Sequence, residues 1–219
     1  MVKVERSYPA PASLASEKNK ASGKYNGRDV IEMLARDFHD KCYICEIKMQ
    51  DIQVEHLLPH KNGQYPERKF DWDNLFPSCP HCNQVKNQKK FDEGIIDCCR
   101  QDPEKVMLFD LDQDHVKVQR LMEDDKVDRT ADLVEEVFGT RKQGGLTYGS
   151  ETRVKKLQKE MNVFYSTLNK YKNAPGNNLY LRTMRGLLSR ESEFAGFKRS
   201  YIREHQIEYQ ELYTMMQSL

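Results

Sequence analysis

No run of apolar residues in this 219-residue chain comes near the length needed to cross a bilayer as a helix, so a helical membrane-spanning protein is excluded. One-sided charge is missing as well. Thirty-five Lys and Arg stand against 34 Asp and Glu, a formal net charge of +1, so any phosphate contact must come from a local basic patch rather than from bulk charge. The sequence has no internal repeat and no low-complexity tract, which argues against a solenoid or a linker-rich array. The acidic run Glu123 to Asp125 lacks the ligand spacing and central glycine of a calcium loop and reads as a solvated stretch. No secretory leader is apparent, and the expectation is a cytosolic chain with reduced thiols. At this length one large or two small domains with a real core are expected.

What is present is concentrated between Cys42 and Lys90. Four of the six cysteines lie there in two pairs, Cys42-x-x-Cys45 and Cys79-x-x-Cys82. Each C-x-x-C turn brings two thiolates to about 3.5 to 4 Å, which suits two corners of a tetrahedron, and two such turns make a closed, structural four-cysteine zinc site. Reduced thiols argue against a disulfide framework, and the matched pairs argue against a dithiol redox centre. Cys98 and Cys99 are adjacent, cannot easily share one metal, and read as small buried apolar residues.

Between the pairs, Asp51 to Leu58 alternates in the manner of a strand and puts His56 on the side of Ile52, Val54 and Leu58. Pro59 ends it. A loop containing Gly63 leads to Asp71-Trp72-Asp73-Asn74-Leu75, and a helix starting near Pro80 carries Asn83, Lys86 and Lys90 along one face. The expected unit is strand, loop, strand and helix, clamped at its base by zinc.

Glu55-His56 followed by Leu-Leu-Pro, Asn74-Leu75 before the second cysteine pair, and Cys82-Asn83-x-x-Lys86 after it together resemble the ββα-metal nucleases called HNH endonucleases, in the subset braced by a four-cysteine zinc. The resemblance implies phosphodiester hydrolysis: His56 as general base for water, and Glu55 and Asn83 as oxygen ligands of one Mg²⁺ or Mn²⁺. It further implies that Asn74 braces the loop and orients the histidine, and that Lys86 meets phosphate. Lys61, Lys89 and Lys90, with Arg68 and Lys69, complete a basic patch around the site. Two features depart from the commoner pattern: Glu stands where Asp is usual, and Asn83 where His is usual. His60 could reach phosphate or metal, whereas His81, between two zinc ligands, reads as solvent-facing.

The rest of the chain reads as support. Residues 1–27 are rich in Pro, Ser, Ala and Lys and read as an extended segment tied down through Val2, Val4 and Leu14. An amphipathic helix is expected from Arg28 to Asp40, within a nuclease domain covering residues 28–100. Residues 101–219 then form a mainly helical region. In it a hairpin from Lys105 to Arg120 turns at Asp112-Gln113-Asp114. Helices follow over 130–138, 153–172, 179–190, 193–204 and 207–217, with breaks at Gly144-Gly145 and at the APGNN stretch from Ala174. Tyr201, Tyr209, Tyr213, Met215 and Met216 exceed what a terminal helix needs for packing. The fold class is thus α+β: a ββα-metal finger plus a mainly α-helical C-terminal region.

Looser phrases, Ile96-Asp97, Asp102-Pro103-Glu104 and Phe194-Ala195-Gly196-Phe197-Lys198-Arg199, extend the resemblance to the PtuB-like nuclease subunits of Septu-type antiphage systems, which also occur with some retrons. That branch implies a bacterial cytoplasmic protein acting on nucleic acid, with DNA favoured over RNA such as tRNA. It also implies an ABC/SMC-like ATPase as partner, and a helical half that serves assembly. The rival reading is a zinc-finger adaptor without catalysis.

Overall fold

Val30 and Leu34 give α2 (Arg28–Asp37) a buried face, and α1 (Ala12–Lys18) lies against it. The computed structural model describes residues 1–139, 146–174 and 176–219; the expected Gly144-Gly145 break and Pro175 lie outside the described residues. Within 1–27 the stretch Ala12–Lys18 is helical, and polar side chains as well as Val2, Val4 and Leu14 tie the segment down. Arg6 donates to the carbonyls of Trp72 (2.8 Å) and Leu75 (2.9 Å) and stacks on the rings of Trp72 and Phe76. Asp37 accepts from the Ser7 amide and hydroxyl, and Asp29 from those of Ser13.

The finger follows the expected order. β1 (Gln53–His56) is followed by the short α3 (Pro66–Lys69), by β2 (Leu75–Ser78) and by α4 (Pro80–Lys86). β1 and β2 pair antiparallel with Glu55 opposite Phe76 and His56 opposite Leu75. Pro80 opens α4, where a missing N–H costs nothing, and Cys79 caps it.

Downstream, β3 (Met107–Asp112) and β4 (His115–Arg120) form a hairpin whose turn is Gln113 and Asp114, within the expected Asp112-Gln113-Asp114. Val116 and Val118 face inward. α5 (Asp125–Val137) packs on β4, and the acidic run before it has a structural use, since Asp124 caps the helix at the amides of Lys126 and Val127. α6 (Tyr148–Asn173), α7 (Asn178–Leu188), α8 (Ala195–Glu204) and α9 (Gln210–Gln217) complete the chain. The hairpin's outward amides are met from the flanking helices: Ser200 Oγ accepts from Phe109 N, and Glu135 from Val118 N. The terminal aromatic and sulfur residues are mostly spent on packing. Leu212 and Met216 are fully buried and Tyr201 stacks on His205.

The helical region closes directly on the first cysteine turn, Cys42 to Cys45. Glu46 accepts from the Gly196 amide at 2.9 Å, Lys41 donates to the carbonyls of Arg190 and Ser192, and Glu193 accepts from the Lys48 amide. Buried charge is paired at this junction: Arg199, 1% exposed, and Arg190 share the carboxylate of Glu104. Among the described residues no helix is long and apolar enough to cross a membrane.

Candidate functional site

Two tight turns build a four-cysteine cluster. In the first, the Cys42 amide donates to the Ile47 carbonyl and the Glu46 amide to the Cys42 carbonyl, folding the knuckle so that Cys42 and Cys45 share one side. In the second, Cys79 caps α4 and Cys82 lies in its first turn. All four sulfurs lie within 4.8 Å of one another and all four residues are buried. Cys45 Sγ and Cys79 Sγ are 4.0 Å apart. A tetrahedron with Zn–S bonds of 2.3 Å has edges of about 3.8 Å, so the cluster has the size and the soft donor set of a zinc site. Outside the finger, Arg153 of α6 donates from Nη2 to Cys79 Sγ at 3.1 Å and from Nη1 to the Gly149 carbonyl at 2.8 Å. A four-thiolate zinc centre carries net negative charge, and a guanidinium hydrogen bond to one sulfur offsets part of it. Cys98 is buried as expected, while Cys99 is only partly so.

His56 and Glu55 leave β1 on opposite faces, as the alternation of a strand requires. On the first face, His56 is 8% exposed, and its Nε2 donates to the Lys69 carbonyl at 3.1 Å. That bond fixes the tautomer and leaves Nδ1 as the proton acceptor of the ring. Burial, and then the neighbouring His60, Lys86 and Lys69, push its pKa down to about 4, against the Lys69 carbonyl bond that raises it. The Lys69 carbonyl is held in place through Asn74, which donates to the carbonyls of Leu58 (2.9 Å) and Arg68 (3.0 Å) and accepts from the Leu58 amide (2.8 Å). Asn74 therefore closes both ends of the loop that presents Lys69 to His56.

On the second face, Glu55 is buried between Lys86 Nζ and the Tyr43 hydroxyl, each 2.6 Å from one carboxylate oxygen. Burial raises the Glu55 carboxyl above its ordinary range, opposed by the Lys86 ammonium, and burial beside Glu55 raises the Tyr43 phenol further. Asn83 lies on this face too, its amide 3.0 Å from Gln53 Oε1. Glu55 and Asn83 are oxygen donors of the type that Mg²⁺ or Mn²⁺ takes, so their chemistry fits such an ion. Both Glu55 oxygens, however, already accept hydrogen bonds from the protein.

The expected nucleic-acid lysines divide. Lys86, which the sequence reading sends to phosphate, is 5% exposed and spent on Glu55 and the His56 carbonyl, so that reading is corrected. Lys61 pairs with Asp92 and Lys90 with Glu136, both at the surface, while Lys89 is exposed. His81 is not solvent-facing: its Nε2 meets the Val137 carbonyl at 2.9 Å, and its ring lies against Gly149, where any Cβ would come within 2.9 Å of Nδ1. His60 packs edge-to-face on His56, ring centroids 4.9 Å apart, with Nδ1 buried and lacking a hydrogen-bond partner among the described residues. Three residues of the site escaped the sequence: Tyr25, Tyr43 and Arg153. Only Tyr43, beside Cys42, carried a signal through its position.

Residues 42–89 match the HNH endonuclease family. The Septu protein PtuB of Bacillus thuringiensis is 32% identical over 89 residues, which cover 35% of this chain and 34% of that protein. The matched part is thus about a third of the length of that curated relative.

Proposed function

We propose that this chain is a metal-dependent nuclease that hydrolyses phosphodiester bonds, DNA before RNA, as the nuclease component of a bacterial antiphage system. The observation that carries the reading is the His56 imidazole, neutral, buried and locked in one tautomer by the Lys69 carbonyl. A neutral imidazole with one nitrogen committed keeps the other able to accept a proton from water. Nδ1 of His56 takes a proton from the attacking water, whose oxygen bonds to phosphorus as the bond to the 3′ oxygen breaks; the departing 3′ oxygen takes a proton from solvent, leaving a 5′ phosphate and a 3′ hydroxyl. Asn74 keeps the loop closed, so the carbonyl that holds Nε2 is already in place for the reacting complex. Glu55 and Asn83 would hold a Mg²⁺ or Mn²⁺, which when bound offsets charge on the transferring phosphate and the leaving oxygen. For that, Lys86 would have to yield its place on Glu55. The four cysteines would hold zinc and fix the base of α4 and the knuckle.

The match to the HNH endonuclease family over residues 42–89 and the likeness to the Septu protein support the reading. The ATPase partner and the cytoplasmic location implied by the sequence resemblance belong to the same proposal. Because the net charge is close to zero, cleavage is expected to be weak for the isolated chain and stronger in a complex whose partner holds nucleic acid.

The test is nicking of supercoiled plasmid and cleavage of bulk tRNA by the purified chain with Mg²⁺ or Mn²⁺, beside a His56→Ala variant of equal zinc content. Metal-dependent cleavage lost in the variant supports the reading, and the substrate that is cut decides between DNA and RNA. Cleavage that survives His56→Ala overturns the assignment of the base.

A further inference from the structure

His56 is held on more than one side. Beyond the Lys69 carbonyl at Nε2, its ring meets Tyr25 edge-to-face, ring centroids 4.4 Å apart at 69°, and His60 at 4.9 Å and 70°. Tyr25 also reaches His60, at 6.3 Å. It lies seventeen residues before the matched stretch of 42–89, in the turn between α1 and α2.

That turn is firm. The Lys24 amide donates to Glu17 Oε2 at 2.9 Å, and the Gly23 amide to the Lys20 carbonyl at 3.2 Å. Gly23 packs so closely that a Cβ there would come 1.9 Å from the Glu17 carbonyl oxygen and 3.1 Å from the Phe70 ring. The Ser13–Asp29 bonds hold α1 on α2. Tyr25 is therefore presented by ordered backbone on both sides.

A hydrogen bond at Nε2 fixes one ring atom but leaves the imidazole free to pivot about that atom. The broad torsion of an sp³–sp² bond does little to stop it. An aromatic edge packed against the ring removes this freedom, and the electrostatics of the pair favour the T-shaped arrangement. Among the described residues the Tyr25 hydroxyl makes no hydrogen bond, so the ring carries the effect.

We propose that Tyr25 is a positioning residue for His56, and that the N-terminal segment is thereby part of the catalytic site. This rests on His56 being the base. The consequence is a division of labour between ring and hydroxyl, which substitutions can separate.

The experiment uses Tyr25→Phe, Tyr25→Ala and Tyr25→Leu in the full chain, with zinc content and thermal melting as controls of folding. One readout needs no activity: the imidazole proton and nitrogen resonances of His56 by NMR, assigned with His56→Ala. Tyr25→Phe is expected to keep the ring-current shift of His56, and Tyr25→Ala to lose it. The second readout is plasmid cleavage, with partner present if cleavage requires it. Tyr25→Phe should stay within about twofold of the parent, while Tyr25→Ala should lose about tenfold or more in kcat with KM changed little. Tyr25→Leu, which keeps bulk, replaces the alanine variant if that one does not fold.

Unchanged His56 resonances in the alanine or leucine variant overturn the proposal. So does a raised KM at constant kcat, which would make Tyr25 a substrate contact, and so does a gain in kcat, which would make it a lid. Failure of the underlying reading looks different: His56→Ala would then cleave as well as the parent.

Discussion

Lys86 Nζ stands 2.6 Å from Glu55 Oε1 and 2.9 Å from the His56 carbonyl, with its side chain 4% exposed. One buried ammonium thus bridges the two neighbouring residues on which the proposed chemistry rests. It neutralises the first and ties down the backbone of the second.

Removing that ammonium leaves a buried carboxylate with Tyr43 as its one hydrogen-bond partner among the described residues. Lys86→Met is expected to destabilise the fold by about 3 to 5 kcal/mol, and the Glu55→Gln, Lys86→Met pair by clearly less, since the double variant buries no uncompensated charge. Urea unfolding of the two singles and the double measures this. Additive effects would mean that the two side chains are not coupled.

Arg153 links α6 to the metal centre through Cys79. Arg153→Ala is expected to weaken zinc retention by about tenfold, the scale on which partners of metal ligands act. Arg185→Ala, on the exposed face of α7, should leave it unchanged. Zinc transfer to a chromophoric chelator reads both, and equal release from the two variants would reduce the Arg153 bond to a packing contact.

The order of the finger could be read from residues 42–90 because paired cysteines and a helix-opening proline each impose a local rule that no distant residue overrides. The long helix α6 was legible for a similar reason: Val154, Leu157, Met161, Phe164 and Leu168 repeat at helical spacing and are all buried. Two kinds of feature escaped. Polar anchoring was one, as in Arg6 on the Trp72 and Leu75 carbonyls, because a charged residue in a Pro- and Ser-rich stretch carries no period. Contacts between distant segments were the other. Nothing near Tyr25 or Arg153 in sequence refers to His56 or Cys79, and Lys86 looked exposed because its partner Glu55 is 31 residues away.

Asn74 offers a cleaner test of the loop brace than removal of the loop. Asn74→Ala leaves the Leu58 amide and two carbonyls without their partner and is expected to destabilise by about 2 to 3 kcal/mol. Asn74→Asp preserves the shape and the acceptor for Leu58, but turns a carboxylate oxygen on the carbonyls of Leu58 and Arg68. It should be no better than alanine. Thermal melting of both variants checks this, and a parent-like aspartate variant would show that the donor side of the amide contributes nothing.

The depressed pKa of His56 sets an acid limit on stability and another on rate. In the folded chain the imidazole titrates at about 4, chiefly because it is buried. In the unfolded chain it titrates at about 6.5. Between those values the unfolded chain binds a proton that the folded chain refuses, so protonation favours unfolding. The stabilisation is fully present above about pH 6.5 and is lost as the pH falls toward about 4, amounting to about 3 kcal/mol. A His56→Gln variant, with no proton to bind, should therefore lose less stability than the parent between pH 7 and pH 4.5 in urea unfolding. The same shift predicts that the acid limb of kcat/KM, where it reports the free base, lies well below the ordinary histidine range. A limb at about 6.5, together with parallel stability curves for parent and variant, would mean that His56 is solvated and not held in its buried pocket.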